Sequence, residues 1–145
     1  MLIKKEDNMG SLENEDLKNK LTSIIILNYN GAKVLDNCIE SIYKTTKEKF
    51  EIIIIDNNSI DNSHNESKKQ FPDIVLIENN ENVGMTARNI GIDNSNGEFI
   101  VFLDSDTIVE PNWLTNFISS YNIHGEGLYQ PKFMEIERRD VINSA

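Results

Sequence analysis

A single cysteine, Cys38, excludes both an internal disulfide framework and a thiolate zinc cluster. It falls on the apolar stripe of an expected helix, where a small buried side chain fits better than a nucleophile. The two histidines, His64 and His124, stand apart in polar stretches with no second His or Cys at ligand spacing, and both read as surface residues. The seven glycines make neither the dinucleotide-binding fingerprint nor the phosphate-loop pattern of nucleotide hydrolases. No apolar run approaches the roughly 20 residues of a membrane span, and charged residues follow Met1-Leu2-Ile3 too soon for a signal peptide. A cytoplasmic protein is expected, with peripheral attachment to a membrane left open.

Basic residues are also scarce. Fourteen Lys and Arg stand against 24 Asp and Glu, a net charge of −10, and no basic run is long enough to track a phosphate backbone. Nucleic acid is therefore not expected as a partner. Most of the acidic residues read as solvated surface, so only carboxylates in special places bear on function.

A hydrophobic share of 39% in 145 residues supports one packed domain. Residues 1–20 are charged and carry few apolar positions, which predicts a mobile tail or a short, loosely docked helix. From Leu21 the character changes. Thr22-Ser23-Ile24-Ile25-Ile26-Leu27 is a continuous run of the kind found in strands covered on both faces. Val34, Leu35, Cys38, Ile39, Ile42 and Tyr43 then recur at helical spacing. The cycle repeats with a strand at 51–56, a polar helix ending near Phe71-Pro72, a strand at 74–77, a helix at 84–94 and a strand at 98–103. Pro111 is expected to open a further helix bearing Trp113, Leu114, Phe117, Ile118 and Tyr121, and Leu128-Tyr129-Gln130 to begin another strand. Strict alternation of this kind predicts an α/β fold with a mostly parallel sheet and a ligand site at the carboxyl ends of its strands.

At that edge stands Asp104-Ser105-Asp106, where the buried run Phe99–Leu103 ends. Two hard oxygen donors this close suit Mg²⁺ or Mn²⁺, and such an ion can neutralise charge on a diphosphate leaving group. Acidic pairs after strands also serve as turn formers and caps, so the triplet alone decides little.

Four segments in order carry more weight: Ser23 to Asn30, Asp56-Asn57-Asn58-Ser59-Ile60-Asp61, Asn82-Val83-Gly84 with Arg88-Asn89-Ile90-Gly91, and Phe102-Leu103-Asp104-Ser105-Asp106. Together they resemble glycosyltransferase family 2 over roughly Thr22 to Tyr121. The resemblance implies a GT-A (Rossmann-like) three-layer sandwich, a UDP-, dTDP- or GDP-linked sugar donor, a glycan or lipid-linked acceptor, and inversion at the anomeric carbon. Carried over by position, Leu27 and Tyr29 border the base, and Asp56 and Asn57 reach its polar edge or the ribose. Arg88 lies near the donor, Asp106 contacts the metal, and Asp104 serves the ribose or supports the metal. Where the family often has two acids, this chain has Asp56 followed by Asn57, which leaves base preference open. Gly84 and Gly91 suit close approach of backbone to ligand or sheet.

On this reading residues 21–130 form the donor-binding unit and 131–145 begin an incomplete acceptor-side segment. Inverting transfer needs a general base. Glu126, Glu135, Glu137 and Asp140 sit among turn-like and charged neighbours, so the base is expected to be absent and turnover by this chain low. An unfinished sheet edge would favour a homodimer or a partner that supplies the missing half. Two other readings remain: a nucleotide-sugar-binding regulatory module without transfer, and a haloacid-dehalogenase-like phosphatase with Asp104 as nucleophile. The second needs this strand first in the fold, with a Lys and further acids well downstream.

Overall fold

The computed structural model describes residues 2–4, 19–32, 34–125, 127–130, 133–135 and 138–143. Its main sheet contains β1 (Leu2–Lys4), β2 (Thr22–Asn28), β3 (Phe50–Asp56), β4 (Val75–Glu78) and β5 (Phe99–Asp104), in the order β1-β5-β2-β3-β4. The four strands β2 to β5 run parallel, and β1 joins β5 antiparallel. Ile24, Ile25 and Ile26 in β2 and Ile52 to Ile55 in β3 are all buried. A central strand in a parallel sheet has helices over both faces, so adjacent residues rather than alternate ones must be apolar. Each such isoleucine contributes about 1.5–3 kcal/mol by leaving water.

Alternate strand residues separate into two apolar layers. Ile24, Ile26, Ile52 and Ile54 meet α1 (Leu35–Thr45) through Leu35, Ile39 and Ile42, and α4 (Trp113–His124) through Leu114 and Ile118. On the opposite face Ile25, Ile53, Ile55 and Ile100 meet Ala87, with Ile90 and Ile92 of α3 (Arg88–Asp93) packed against them. Helix α2 (Ser63–Gln70) lies between β3 and β4 in the chain and buries only Ser63, His64 and Ser67. The expected α/β architecture is present.

Several details differ from the sequence reading. Leu2–Lys4 lie within the stretch expected to be a mobile tail or loosely docked helix, yet pair with Val101, Ile100 and Phe99. Backbone pairing to an available strand edge needs only a few residues, which composition averaged over twenty does not reveal. The helix expected over 84–94 begins as a 3₁₀ turn, Gly84–Ala87, before α3. Gly84 has φ +63°, and its carbonyl accepts from Asn57 Nδ2 (3.2 Å) rather than serving an α-helical turn. Pro111 lies in the turn ahead of α4, which starts at Trp113 after Asn112 in left-handed backbone. Tyr129 makes only an isolated bridge, and its hydroxyl donates to the Gly125 carbonyl at 2.5 Å. Beyond it, β6 (Phe133–Glu135) and β7 (Arg138–Asn143) form a separate antiparallel ribbon. Glu126 and Glu137 fall outside the described residues.

Two glycines allow close approaches. At Gly97 a Cβ would stand 2.5 Å from the Ser23 nitrogen, at the strand edge where Ser23 Oγ donates to Glu51 (2.6 Å). At Gly91 it would stand 2.5 Å from Ile25 Cγ2, so α3 lies directly on β2 only because that position has no side chain. Overpacking a buried contact costs about 1–3 kcal/mol. Gly91→Ala should lower stability in denaturant titration by that amount, and by less when Ile25 is also Ala, because the colliding methyl is then gone.

Candidate functional site

The four parallel strands stop at one edge, and each stops on a polar residue. Asn28 pairs in register with Asp56, Asp56 with Glu78, and Leu27 with Asp104. The row Glu78, Asp56, Asn28, Asp104 therefore crosses the sheet where its apolar runs end. Its inner members are buried, with Asn28 0% and Asp56 2% exposed, whereas Glu78 and Asp104 are exposed.

A buried carboxylate needs hydrogen bonds or opposite charge to offset its lost hydration. Asp56 Oδ1 accepts from Asn28 Nδ2 at 2.8 Å, and Oδ2 accepts from the Ser59 N–H at 2.8 Å. His64 Nδ1 lies 3.2 Å from Oδ1. Asn28 Nδ2 also reaches Ser63 Oγ at 3.1 Å. The loops after β2 and β3 are joined by further bonds: Asn30 N–H to Ser59 Oγ (2.9 Å), Ile60 N–H to Asn30 Oδ1 (3.0 Å), and Ala32 N–H to Asp61 Oδ2 (2.8 Å). Burial pushes the Asp61 carboxyl up, but hydrogen bonds from Ser63 and Ala32 together outweigh it and hold Asp61 below the usual range. Asn30, Asn58 and Asn62 all take positive φ, which asparagine tolerates better than other side chains.

The end of β5 is built differently. Arg88 Nη2 meets Asp104 Oδ1 at 2.5 Å, and the guanidinium sits over the Phe102 ring with its carbon 5.7 Å from the centroid. Asp104 keeps its second oxygen outside that pair. Asp106 is exposed, and among the described residues no hydrogen bond or ion pair engages it. Tyr29 is 54% exposed just past β2, and Leu27 is half-buried below it. Cys38 lies beneath this edge, its Sγ 3.7 Å from the Asp104 carbonyl. Burial first, then the charges of Asp106 and Asp104, push its thiol up to about 12, against a smaller opposing hydrogen bond from Thr107. It is a packed hydrophobe, as its place on the helix suggests.

Residues 23–143 match the family described as Glycosyl transferase family 2. The chain belongs to this family. Glycosyltransferase AglE of Haloferax volcanii is 34% identical over 113 residues, covering 73% of this chain and 36% of that protein. Glycosyltransferase GlyG of Streptococcus pneumoniae is 36% identical over 104 residues, or 66% and 33% respectively. The chain thus spans about a third of the length of these curated relatives. Among solved structures, S. aureus TarS in complex with UDP superposes with TM-score 0.64 at 24% identity, covering 79% of this chain and 39% of that one. Mannosyltransferase PcManGT from Pyrobaculum calidifontis, in complex with GDP-Man and Mn²⁺, gives 0.64 at 23% identity, covering 71% and 32%. The fold is that of the GT-A transferases.

Within the family 2 frame, the sequence-derived site residues divide into two sets. Leu27, Tyr29, Arg88, Asp104 and Asp106 stand at or next to the open part of the edge. Asp56 and Asn57 do not: each is 2% exposed. The Asn57 carboxamide oxygen accepts from Asn79 Nδ2 (3.2 Å) and the Val83 N–H (3.1 Å). Its Nδ2 donates to Asn82 Oδ1 (2.7 Å) and the Gly84 carbonyl (3.2 Å). Both donors and both acceptors are therefore in use holding the 79–84 loop, and none is left for a nucleoside. His64 is corrected too: it is 6% exposed rather than a surface residue, whereas His124 is exposed as expected. Sequence reasoning missed it because its partners come from neighbouring strands rather than from a local His or Cys. The phosphatase reading loses its topological basis, since Asp104 ends the fourth parallel strand in chain order rather than the first. Asn57→Asp would set oxygen against Asn82 Oδ1 and the Gly84 carbonyl. It should cost about 1–3 kcal/mol in chemical denaturation, as expected for buried polar groups left unsatisfied.

Proposed function

We propose that this chain forms the sugar-nucleotide donor site of an inverting, metal-dependent glycosyltransferase that passes a hexosyl group to a glycan or lipid-linked acceptor. The observation that carries this reading is the arrangement after β5: an exposed Asp106 beside an Asp104 held by Arg88. Family membership supports it, as do fold relatives in complex with UDP, UDP-GlcNAc, and GDP-Man with Mn²⁺.

The carboxylates fit a divalent ion. Mg²⁺ and Mn²⁺ favour oxygen donors and are commonly held by one or two carboxylates, with phosphate oxygens and water completing the set. Asp106 and the free oxygen of Asp104 would provide those carboxylates. Among the described residues no cluster of three or more His, Cys, Asp or Glu side chains offers a closed protein cage, which agrees with a metal shared with its substrate. When bound, the ion would supply Lewis-acid neutralisation of the departing nucleoside diphosphate.

The chain's own groups do the rest of the positioning. Arg88 orients Asp104, and the remaining donors of its fork suit a phosphate oxygen. Tyr29 offers an exposed aromatic face to the base, with Leu27 beneath it. Asp56, already fixed by Asn28 and Ser59, would present its remaining lone-pair direction to the polar edge of the nucleoside. Asn57 acts through the 79–84 loop and makes no ligand contact. The general base and the acceptor site are not assigned to any described residue, so binding rather than turnover is the informative readout. Among the described residues no helix is long and apolar enough to cross a membrane.

Calorimetric titration with UDP, GDP and dTDP, each with and without Mn²⁺, should reveal metal-dependent binding of at least one nucleotide. Asp106→Ala should weaken that binding by ~10-fold or more, in line with the loss of a metal-supporting group. No metal-dependent binding of any of the three would overturn the proposal.

A further inference from the structure

His64 is a buried ionisable side chain that the donor-site reading leaves unused. It stands in the first turn of α2, 6% exposed, with its ring between two carboxylates on adjacent strands. Nδ1 is 3.2 Å from Asp56 Oδ1, and Nε2 is 3.0 Å from Glu78 Oε1. Asp56 and Glu78 are register partners at the ends of β3 and β4, so two like charges would otherwise face each other across the ladder. Asn65 Nδ2 also lies 2.9 Å from Nε2. Nδ1 is buried and has no aligned hydrogen bond, so the Asp56 carboxylate is the polar group that accounts for its placement.

The two ring nitrogens therefore have different duties. The Nε2 side faces Glu78, whose side chain is 59% exposed, and water can replace that contact. The Nδ1 side faces Asp56, whose side chain is 3% exposed and cannot turn to solvent for compensation. Asn28 and Ser59 each fix one oxygen of Asp56 from the β2 side and from its own loop. His64 approaches from the β4 side, the direction in which the carboxylate would otherwise meet Glu78.

We infer that His64 is a positioning residue for the donor nucleoside: through its Nδ1 side it holds the Asp56 carboxylate in the orientation that meets the base or ribose. This rests on the reading of Asp56 as a nucleoside contact. His64 touches no ligand, and its effect passes entirely through Asp56.

The two nitrogens can be tested separately. In His64→Asn the amide nitrogen stands near the place of Nδ1 and keeps a donor toward Asp56, whereas in His64→Gln it stands near that of Nε2 and keeps one toward Glu78. The dissociation constant of the nucleotide bound by the native chain in Mn²⁺, together with the thermal midpoint, is measured for these variants, His64→Ala, Asp56→Asn and Ser67→Ala. Ser67→Ala is the structural control, because Ser67 lies on the same helix and bonds Asp36 rather than Asp56. Loss of one charge-assisted contact corresponds to roughly tenfold. Binding should weaken by about tenfold in His64→Ala and His64→Gln and recover to within about threefold of native in His64→Asn, while Ser67→Ala lowers the midpoint without changing affinity. Affinity that tracks the midpoint across all variants, or stays native in His64→Ala while Asp56→Asn loses it, overturns the inference and leaves the donor-site reading intact. Native affinity in Asp56→Asn removes the role of Asp56 and this inference with it, and an absence of nucleotide binding by the native chain removes both proposals.

Discussion

A carboxylate at the end of a buried strand must find its compensation inside the protein, and Asp56 sets this requirement for the whole carboxyl edge. Its inward placement follows from β3, whose four consecutive isoleucines are covered on both faces and carry the chain end into a dry environment. Three different elements then converge on it: Asn28 from β2, Ser59 from its own loop and His64 from α2. Each contact also fixes the element that supplies it. The loop after β3 is consequently fixed by a bond that makes the buried charge tolerable, and the loop after β2 is tied to it in turn through Asn30 and Ala32, an arrangement that reaches a ligand with little left to reorganise.

The two ends of the edge divide their duties by exposure. Around Asp56 and Asn57 most side-chain polar atoms are committed to protein: Ser59 and Asp61 tie the motif Asp56-Asn57-Asn58-Ser59-Ile60-Asp61 to the loop after β2, and Asn57 ties it to the loop after β4. After β5 the carboxylates are exposed, and among the described residues Asp104 is paired and Asp106 is not. A short acidic or asparagine-rich motif in a sequence does not distinguish these cases. What separates them is whether the partners of each side chain lie in the protein, which only the fold reveals.

That distinction also marks how far the sequence could be read. The four parallel strands, their order of appearance and the fate of Cys38 were legible because unbroken apolar runs and a helical stripe are local signals. Asp104-Ser105-Asp106 was legible for the same reason, as polarity returning abruptly where a buried run ends. His64 was not, since its burial comes from contacts with Asp56 and Glu78 on two adjacent strands, and from a register between them that no local pattern encodes. The bonds of Asn57 to the 79–84 loop were not legible because their partners lie 22 to 27 residues downstream. The strand at Leu2–Lys4 was hidden by its brevity, as three residues of pairing leave no period to detect.

Charge at the edge finally bears on what the site can accept. Asp56, Asp61, Glu78, Asp104 and Asp106 gather there on a chain whose net charge is −10. Against them stands the guanidinium of Arg88, already drawn to Asp104 and lying over Phe102. A diphosphate approaching this surface meets like charge, and Coulomb repulsion at contact distance is not removed by the Arg88 guanidinium, which is already engaged with Asp104. A divalent ion at Asp106 would lessen that repulsion at the point of contact. On the donor-site reading proposed above, the exposed carboxylates that would repel a bare nucleotide would also be the groups that draw a cation to the same edge, so acids that oppose the ligand alone would favour it as a metal complex.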